Sequence, residues 1–251
     1  MTRQRISSVG AIVVSALGLA ACGGSAGSSE VVARVDGVGA ITKAMLDHWI
    51  PIEGTLSYKV RPLTPAPKGL IPDPPSYTAC MAYLKATPQK LVQAGPKPSP
   101  LELKRKCAQR NKELQEITLN TLIGYEWTIG AGLQSGVKPT DAEIKKWFDR
   151  VTRTENPNKG EFAKYLRYSG QSVADMIYRS KIQLVEVKLT ALRTELEKKV
   201  RKGLTPKLQL QVSRFMQVLP PNSNWIAKTT CRTGYSTSDC GRTQPAGSAG
   251  F

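Results

Sequence analysis

The sequence predicts a mainly α fold with one or two short strands, long amphipathic helices and irregular ends, and three observations carry that prediction. Apolar residues recur at helical spacing over two long stretches, one after residue 101 and one after residue 172. A capping box at Thr140 and Glu143 opens a further helix between them. Eleven of the seventeen prolines stand from Pro51 to Pro100, which confines most of the irregular chain to that stretch.

The chain opens as an exported protein does. Arg3 and Arg5 precede an apolar run over residues 10–19 that is too short to span a bilayer, so residues 1–21 are expected to be a cleaved signal peptide. The run ends in Leu19-Ala20-Ala21-Cys22, which resembles the bacterial lipobox. That resemblance implies lipidation of Cys22 as the first residue of the mature protein. Anchoring by more than one acyl chain is stable, since each buried methylene contributes about 0.8 kcal/mol and one chain alone is marginal. The expected location is therefore extracytoplasmic, tethered to the bacterial cell membrane, with residues 22–30 as a flexible link.

Residues 31–35, Val-Val-Ala-Arg-Val, form a strand closed by a turn at Asp36-Gly37. Thr42 caps a first helix whose body includes Leu46, His48, Trp49 and Ile50 and which Pro51 is expected to stop. Residues 51–100 are a proline-rich insertion with one short helix around 77–85. From about residue 101 a long helix places Leu103, Cys107, Leu114, Ile117, Leu122 and Ile129 near one face, until Ser135-Gly136 ends it. The helix capped by Thr140 runs to about residue 152 with Ile144, Trp147, Phe148 and Val151 inward, and a short helix covers 162–168. A last long helix starts near Ser172. In it Val185, Leu189, Leu192, Leu196 and Val200 recur at spacings of four, three, four and four before Gly203 ends it. One more helix runs from Pro206 to about Leu219. Residues 31–220 thus make one helical domain, and 221–251 a tail ordered only around Trp225 and the loop from Cys231 to Cys240, with 246–251 expected to be disordered.

Charge and cysteine usage narrow the partners. The chain has 36 Lys and Arg against 19 Asp and Glu, a net charge of +17; without residues 1–21, which hold two arginines and no acid, the balance is 34 against 19, or +15. Outside the cytoplasm such a surface suits anionic lipid or anionic envelope polymers, and no nucleic-acid partner is expected. Four cysteines remain after Cys22, an even number that predicts two disulfides in an oxidising compartment. Proximity favours Cys80 with Cys107 and Cys231 with Cys240, closing loops of 28 and 10 residues counted inclusively. By chain entropy alone these would add at most about 3.5 and 2.5 kcal/mol. Zinc is the competing use of the thiols, but neither pair has Cys-x-x-Cys spacing and the one histidine, His48, is far away in sequence, so no metal and no cofactor is expected.

Three segments then share an order with a known family. Residues 32–43, Val-Ala-Arg-Val-Asp-Gly-Val-Gly-Ala-Ile-Thr-Lys, combine a strand, an Asp-Gly turn and an Ile-Thr entry into the first helix. Leu122-Ile123-Gly124-Tyr125-Glu126-Trp127, followed by Gly136-Val137-Lys138-Pro139-Thr140-Asp141, joins a long helix to the next through a short turn. Residues 162–166, Ser169-Gly170-Gln171 and residues 175–178 precede the last long helix. Together these resemble the N-terminal chaperone domain of SurA- and PrsA-type foldases, and residues 225–240 resemble a tail found on actinobacterial members. The resemblance covers most of residues 31–240. Many members carry a parvulin-type prolyl isomerase domain after the last long helix. Only 48 residues follow Gly203, too few for that domain, and His48 stands beside Trp49 on the first helix, so no catalytic residue is carried over. The chain also shows no GxSxG elbow, phosphate-binding Gly-rich loop or HExxH.

The resemblance implies a membrane-anchored, chaperone- or foldase-like lipoprotein that binds unfolded or nascent exported polypeptides in a cradle of amphipathic helices. Trp127, Trp147, Phe148, Tyr165, Tyr168 and Tyr178 are the candidate lining, because aromatic rings give large contact area at low entropic cost. The same residues would also serve as ordinary core. Two other functions compete. One is a parvulin-related peptidyl-prolyl cis-trans isomerase. The other is a basic adaptor whose Lys198, Lys199, Arg201 and Lys202 hold envelope polymer or anionic lipid, although cations at a helix C-terminus also suit the macrodipole.

Overall fold

In the computed structural model, residues 30–87, 98–156 and 158–245 are described. Cys22, the expected signal peptide over residues 1–21 and the expected disordered end over residues 246–251 lie outside them. Strands β1 (Val31–Val35) and β2 (Gly39–Thr42) form an antiparallel hairpin whose turn needs Gly37 in the left-handed region, at φ 74°. Thr42 ends β2 and caps α1 (Lys43–Tyr58), its hydroxyl accepting from the Met45 amide at 3.1 Å.

Helix α1 does not stop at Pro51, contrary to the sequence expectation. The proline leaves the Asp47 carbonyl without its helical donor, a defect that costs about 3 kcal/mol in a helix interior. Leu46 and Trp49 before it and Ile52 after it are only 1%, 3% and 1% exposed. Burial of each such side chain contributes about 1.5–3 kcal/mol, so packing outweighs the break while Pro51 itself faces solvent.

Within the proline-rich stretch, α2 (Thr78–Ala86) is fastened to α3 (Pro100–Gln134) by the Cys80–Cys107 disulfide. The apolar stripe on α3 is less regular than the spacing suggests. Leu103, Cys107 and Leu122 are buried, whereas Ile117 is 52% exposed. The first part of the 35-residue helix packs on α2 and the later part on α1, α6 and the sheet, so its inward face changes along its length.

The Thr140–Glu143 capping box forms and opens α4 (Asp141–Glu155), which packs on α6. After α5 (Lys159–Ser169), an equivalent box at Ser172 and Asp175 opens α6 (Val173–Lys202), and Gly203 closes it. The predicted stripe on α6 is divided: Val185 and Leu189 enter the main core, while Leu192 and Leu196 are half-buried. Helix α7 (Pro206–Val218), capped by Thr205, lies against α6 and buries Leu208 and Phe215.

The stretch that reads as a tail is part of the fold. After α8 (Ser223–Ala227), β3 (Thr229–Arg232) pairs antiparallel with β1, and β4 (Arg242–Gln244) runs parallel to β3, giving a sheet of order β2-β1-β3-β4. Cys231–Cys240 closes the loop between β3 and β4. Trp225 is 1% exposed, donates its indole N–H to the Val218 carbonyl at 2.8 Å and covers Gly130 of α3. Eight helices and four strands among the described residues make the fold mainly α. No helix of the described residues is long and apolar enough to cross a membrane.

A cleft between α1, α4, α5 and α6

The face of α1 that buries Trp49 and Ile52 continues one turn on through Glu53, Leu56 and Ser57, which line a cleft of about 580 Å³. Val60 and Arg61 follow α1 along one rim. Val151, Thr154, Glu155 and Asn156 close it from the end of α4, Tyr165 enters from α5, and Met176, Arg179, Ser180 and Gln183 come from successive turns of α6. Helical spacing accounts for that last set, since positions three and four apart share a face.

The polar groups are held in place by one another. Arg179 donates to Gln171 Oε1 at 3.4 Å, and Gln171, 5% exposed, donates its amide to the Tyr165 hydroxyl at 2.8 Å. Across the cleft the Arg61 guanidinium donates to Glu161 at 2.7 Å and to Asn156 Oδ1 at 3.4 Å, tying the segment after α1 to α5. Glu53 is 9% exposed, and its Oε1 has no hydrogen-bond partner among the described residues. Burial pushes the Glu53 carboxyl above the usual carboxylate range, with the charge of Arg179 pulling the other way. The cleft therefore pairs aliphatic walls at Leu56, Val60, Val151 and Met176 with two carboxyl groups, Glu53 and Glu155, and two guanidinium groups, Arg61 and Arg179.

Of the six aromatic side chains singled out from the sequence, the structure brings only Tyr165 to the cleft wall. Trp127 is a core residue, 3% exposed, with its indole N–H donated to Thr229 Oγ1 at 2.8 Å. Tyr178 is half-buried in a cluster with Trp49 and Tyr125, ring centroids 5.9–6.2 Å apart, and donates to Glu126 Oε1 at 3.5 Å. Burial raises both the Tyr178 hydroxyl and the Glu126 carboxyl above their ordinary values. Trp147 is half-buried and does not line the cleft. Its N–H points to Gln183 Oε1 at 3.4 Å and the Arg150 guanidinium lies 4.1 Å over its ring. Phe148 packs edge-on against Phe162 at 6.2 Å, and Tyr168 lies beside the Arg167 guanidinium at 5.6 Å.

His48 is a surface residue that donates to Asp175 Oδ1 at 2.9 Å. Burial disfavours the charged Asp175, but hydrogen bonds from Ser172 and His48 outweigh it and hold the carboxyl below the usual range. Among the described residues no group of three or more His, Cys, Asp and Glu side chains is placed to hold a metal ion.

Sequence reasoning missed Glu53, Asn156, Arg179 and Gln183. For Glu53 a signal existed: continuing the helix through Pro51 would have put it on the face of Leu46 and Trp49, at spacings of seven and four. No protein-family model, curated protein or solved structure matches the chain.

Proposed function

We propose that this chain is a membrane-tethered, extracytoplasmic chaperone-like lipoprotein that holds unfolded exported polypeptides in the cleft between α1, α4, α5 and α6. The observation that carries the reading is the chemistry of the cleft wall. A peptide bond presents one donor and one acceptor, and Glu53 and Arg179 offer the complementary acceptor and donor in the same cleft, where Glu53 Oε1 is unpartnered among the described residues and Arg179 bonds to Gln171. Leu56, Val60, Val151 and Met176 supply apolar contact for a client side chain beside it. Recognition of main chain plus one or two apolar groups tolerates many sequences.

The expected affinity is low. Burying one or two client side chains contributes about 1.5–3 kcal/mol each, and ordering a flexible segment subtracts from that sum. Weak binding of this kind lets a client leave to fold. The lipobox-like Leu19-Ala20-Ala21-Cys22 supports the tether, and the order of the three foldase-like segments supports the client class.

The test is suppression of aggregation. A chemically denatured client diluted into the purified protein at several-fold excess should scatter less light than the client alone. Scattering that does not change at any excess would contradict the proposal.

A further inference from the structure

The turn between α6 and α7 is built unlike the rest of the surface. Seven consecutive residues, 201–207, are exposed, and they include Arg201, Lys202, Leu204 and Lys207. Residues 198–238 contain eight Lys or Arg and no Asp or Glu. Lys198 is matched by Glu195. Among the described residues Lys199, Arg201, Lys202 and Lys207 make no salt bridge within 4 Å, although the Glu195 carboxylate also attracts Lys199 and Lys202 from farther off.

Helix electrostatics accounts for only part of this cluster. Cations in the last turn of α6 complement the negative end of its macrodipole. Lys207 sits in the first turn of α7, where the dipole favours a carboxylate and the helix has none. It therefore adds to the positive potential of the turn at a local electrostatic cost. Two leucines stand among these charges without burial, Leu204 at 58% and Leu210 at 51% exposure. On α7, Lys207, Leu210 and Arg214 fall along one outer stripe, opposite the buried Leu208 and Phe215.

We propose that the α6–α7 turn docks on the surface of an anionic lipid bilayer, with the cations meeting lipid phosphates and Leu204 and Leu210 entering the headgroup boundary. Charge complementarity calls for an anionic partner. The exposed leucines favour a bilayer over a soluble polyanion, which has no apolar layer to receive them. From Gln183 to Lys202, α6 extends roughly 28 Å along its axis. A docked turn thus leaves the cleft well away from the lipid. This surface is independent of the client-binding reading, and either can fail alone.

The test uses the full chain carrying Cys22→Ala, so that no acyl chain contributes, with vesicles of phosphatidylcholine alone or mixed with phosphatidylglycerol. Partitioning should favour the anionic vesicles and weaken as salt rises. Each cation near such a surface contributes about a fivefold factor, so Lys202→Gln with Lys207→Gln should weaken partitioning about 25-fold. Leu204→Ser should weaken it about tenfold, and neither variant should move the thermal midpoint appreciably, because all three positions are exposed and the dipole effects lost at Lys202 and relieved at Lys207 oppose each other. Equal partitioning onto both vesicle types, or variants that bind like the parent, would overturn the proposal. Retention on soluble polyphosphate together with vesicle binding that Leu204→Ser leaves unchanged would also overturn it, in favour of a polymer-binding surface.

Discussion

Two glycines six residues apart on α3 should respond to the same substitution with opposite signs. At Gly124 an added Cβ meets nothing within 4 Å, so Gly124→Ala should yield the ordinary helix gain of about 1 kcal/mol. At Gly130 the added Cβ would lie 2.5 Å from Trp225 Cη2, 2.7 Å from Val38 Cγ2 and 2.8 Å from Trp225 Cζ3. The indole cannot swing clear easily, since it is 1% exposed and held by its 2.8 Å bond to the Val218 carbonyl. Overpacking at such a site costs about 3 kcal/mol, and the helix gain offsets about 1, leaving about 2 kcal/mol of destabilisation. For a domain of this size Gly130→Ala should lower the thermal midpoint by about 4–8 °C and Gly124→Ala raise it by about 2–4 °C. Both are read by circular dichroism on the purified protein. A Gly130→Ala variant as stable as the parent would refute the docking of Trp225, and with it the attachment of residues 223–232 to α3.

Three further outcomes follow from the same packing. Trp127→Phe removes the donor to Thr229 inside the core and should cost about 1–3 kcal/mol in denaturant unfolding. Replacing both Cys80 and Cys107 by Ser should lower stability under oxidising conditions by about 2–4 kcal/mol, because the link between α2 and α3 is lost. Glu53 titrates higher in the folded than in the unfolded chain, so its contribution to stability is present below the unfolded value of 4.5 and is lost as pH rises through the raised folded value. Glu53→Gln should therefore match the parent near about pH 4 and unfold at a higher temperature than the parent at pH 7; the reverse order at pH 7 would show that Glu53 is a stabilised carboxylate.

What was legible in the sequence is what short stretches decide. Thr42, Thr140 and Gly203 mark helix ends through contacts with residues no more than four positions away, and each lies where its chemistry says. The two disulfides join cysteines that are near neighbours in sequence. Pro51 misled because local preference opposed the helix while burial of Leu46, Trp49 and Ile52 against distant residues sustained it. Strand β3 was hidden for a similar reason: Thr229-Thr230-Cys231-Arg232 becomes a strand by pairing with β1, nearly two hundred residues earlier. The cleft combines both difficulties. Glu53 lies beyond the proline on α1, Arg179 and Gln183 lie on α6, and only tertiary packing sets them around one space.

The most direct test of client binding in the cleft is site-specific photo-crosslinking to a permanently unfolded polypeptide. A photoreactive residue at Val60, 85% exposed at the rim, is compared with one at Leu101, 78% exposed at the start of α3 and outside the cleft. Adducts are expected from position 60 and should fall away when Glu53 is replaced by Ala, with few from position 101. Equal yields from both positions, or no adducts from position 60, would contradict client binding in the cleft.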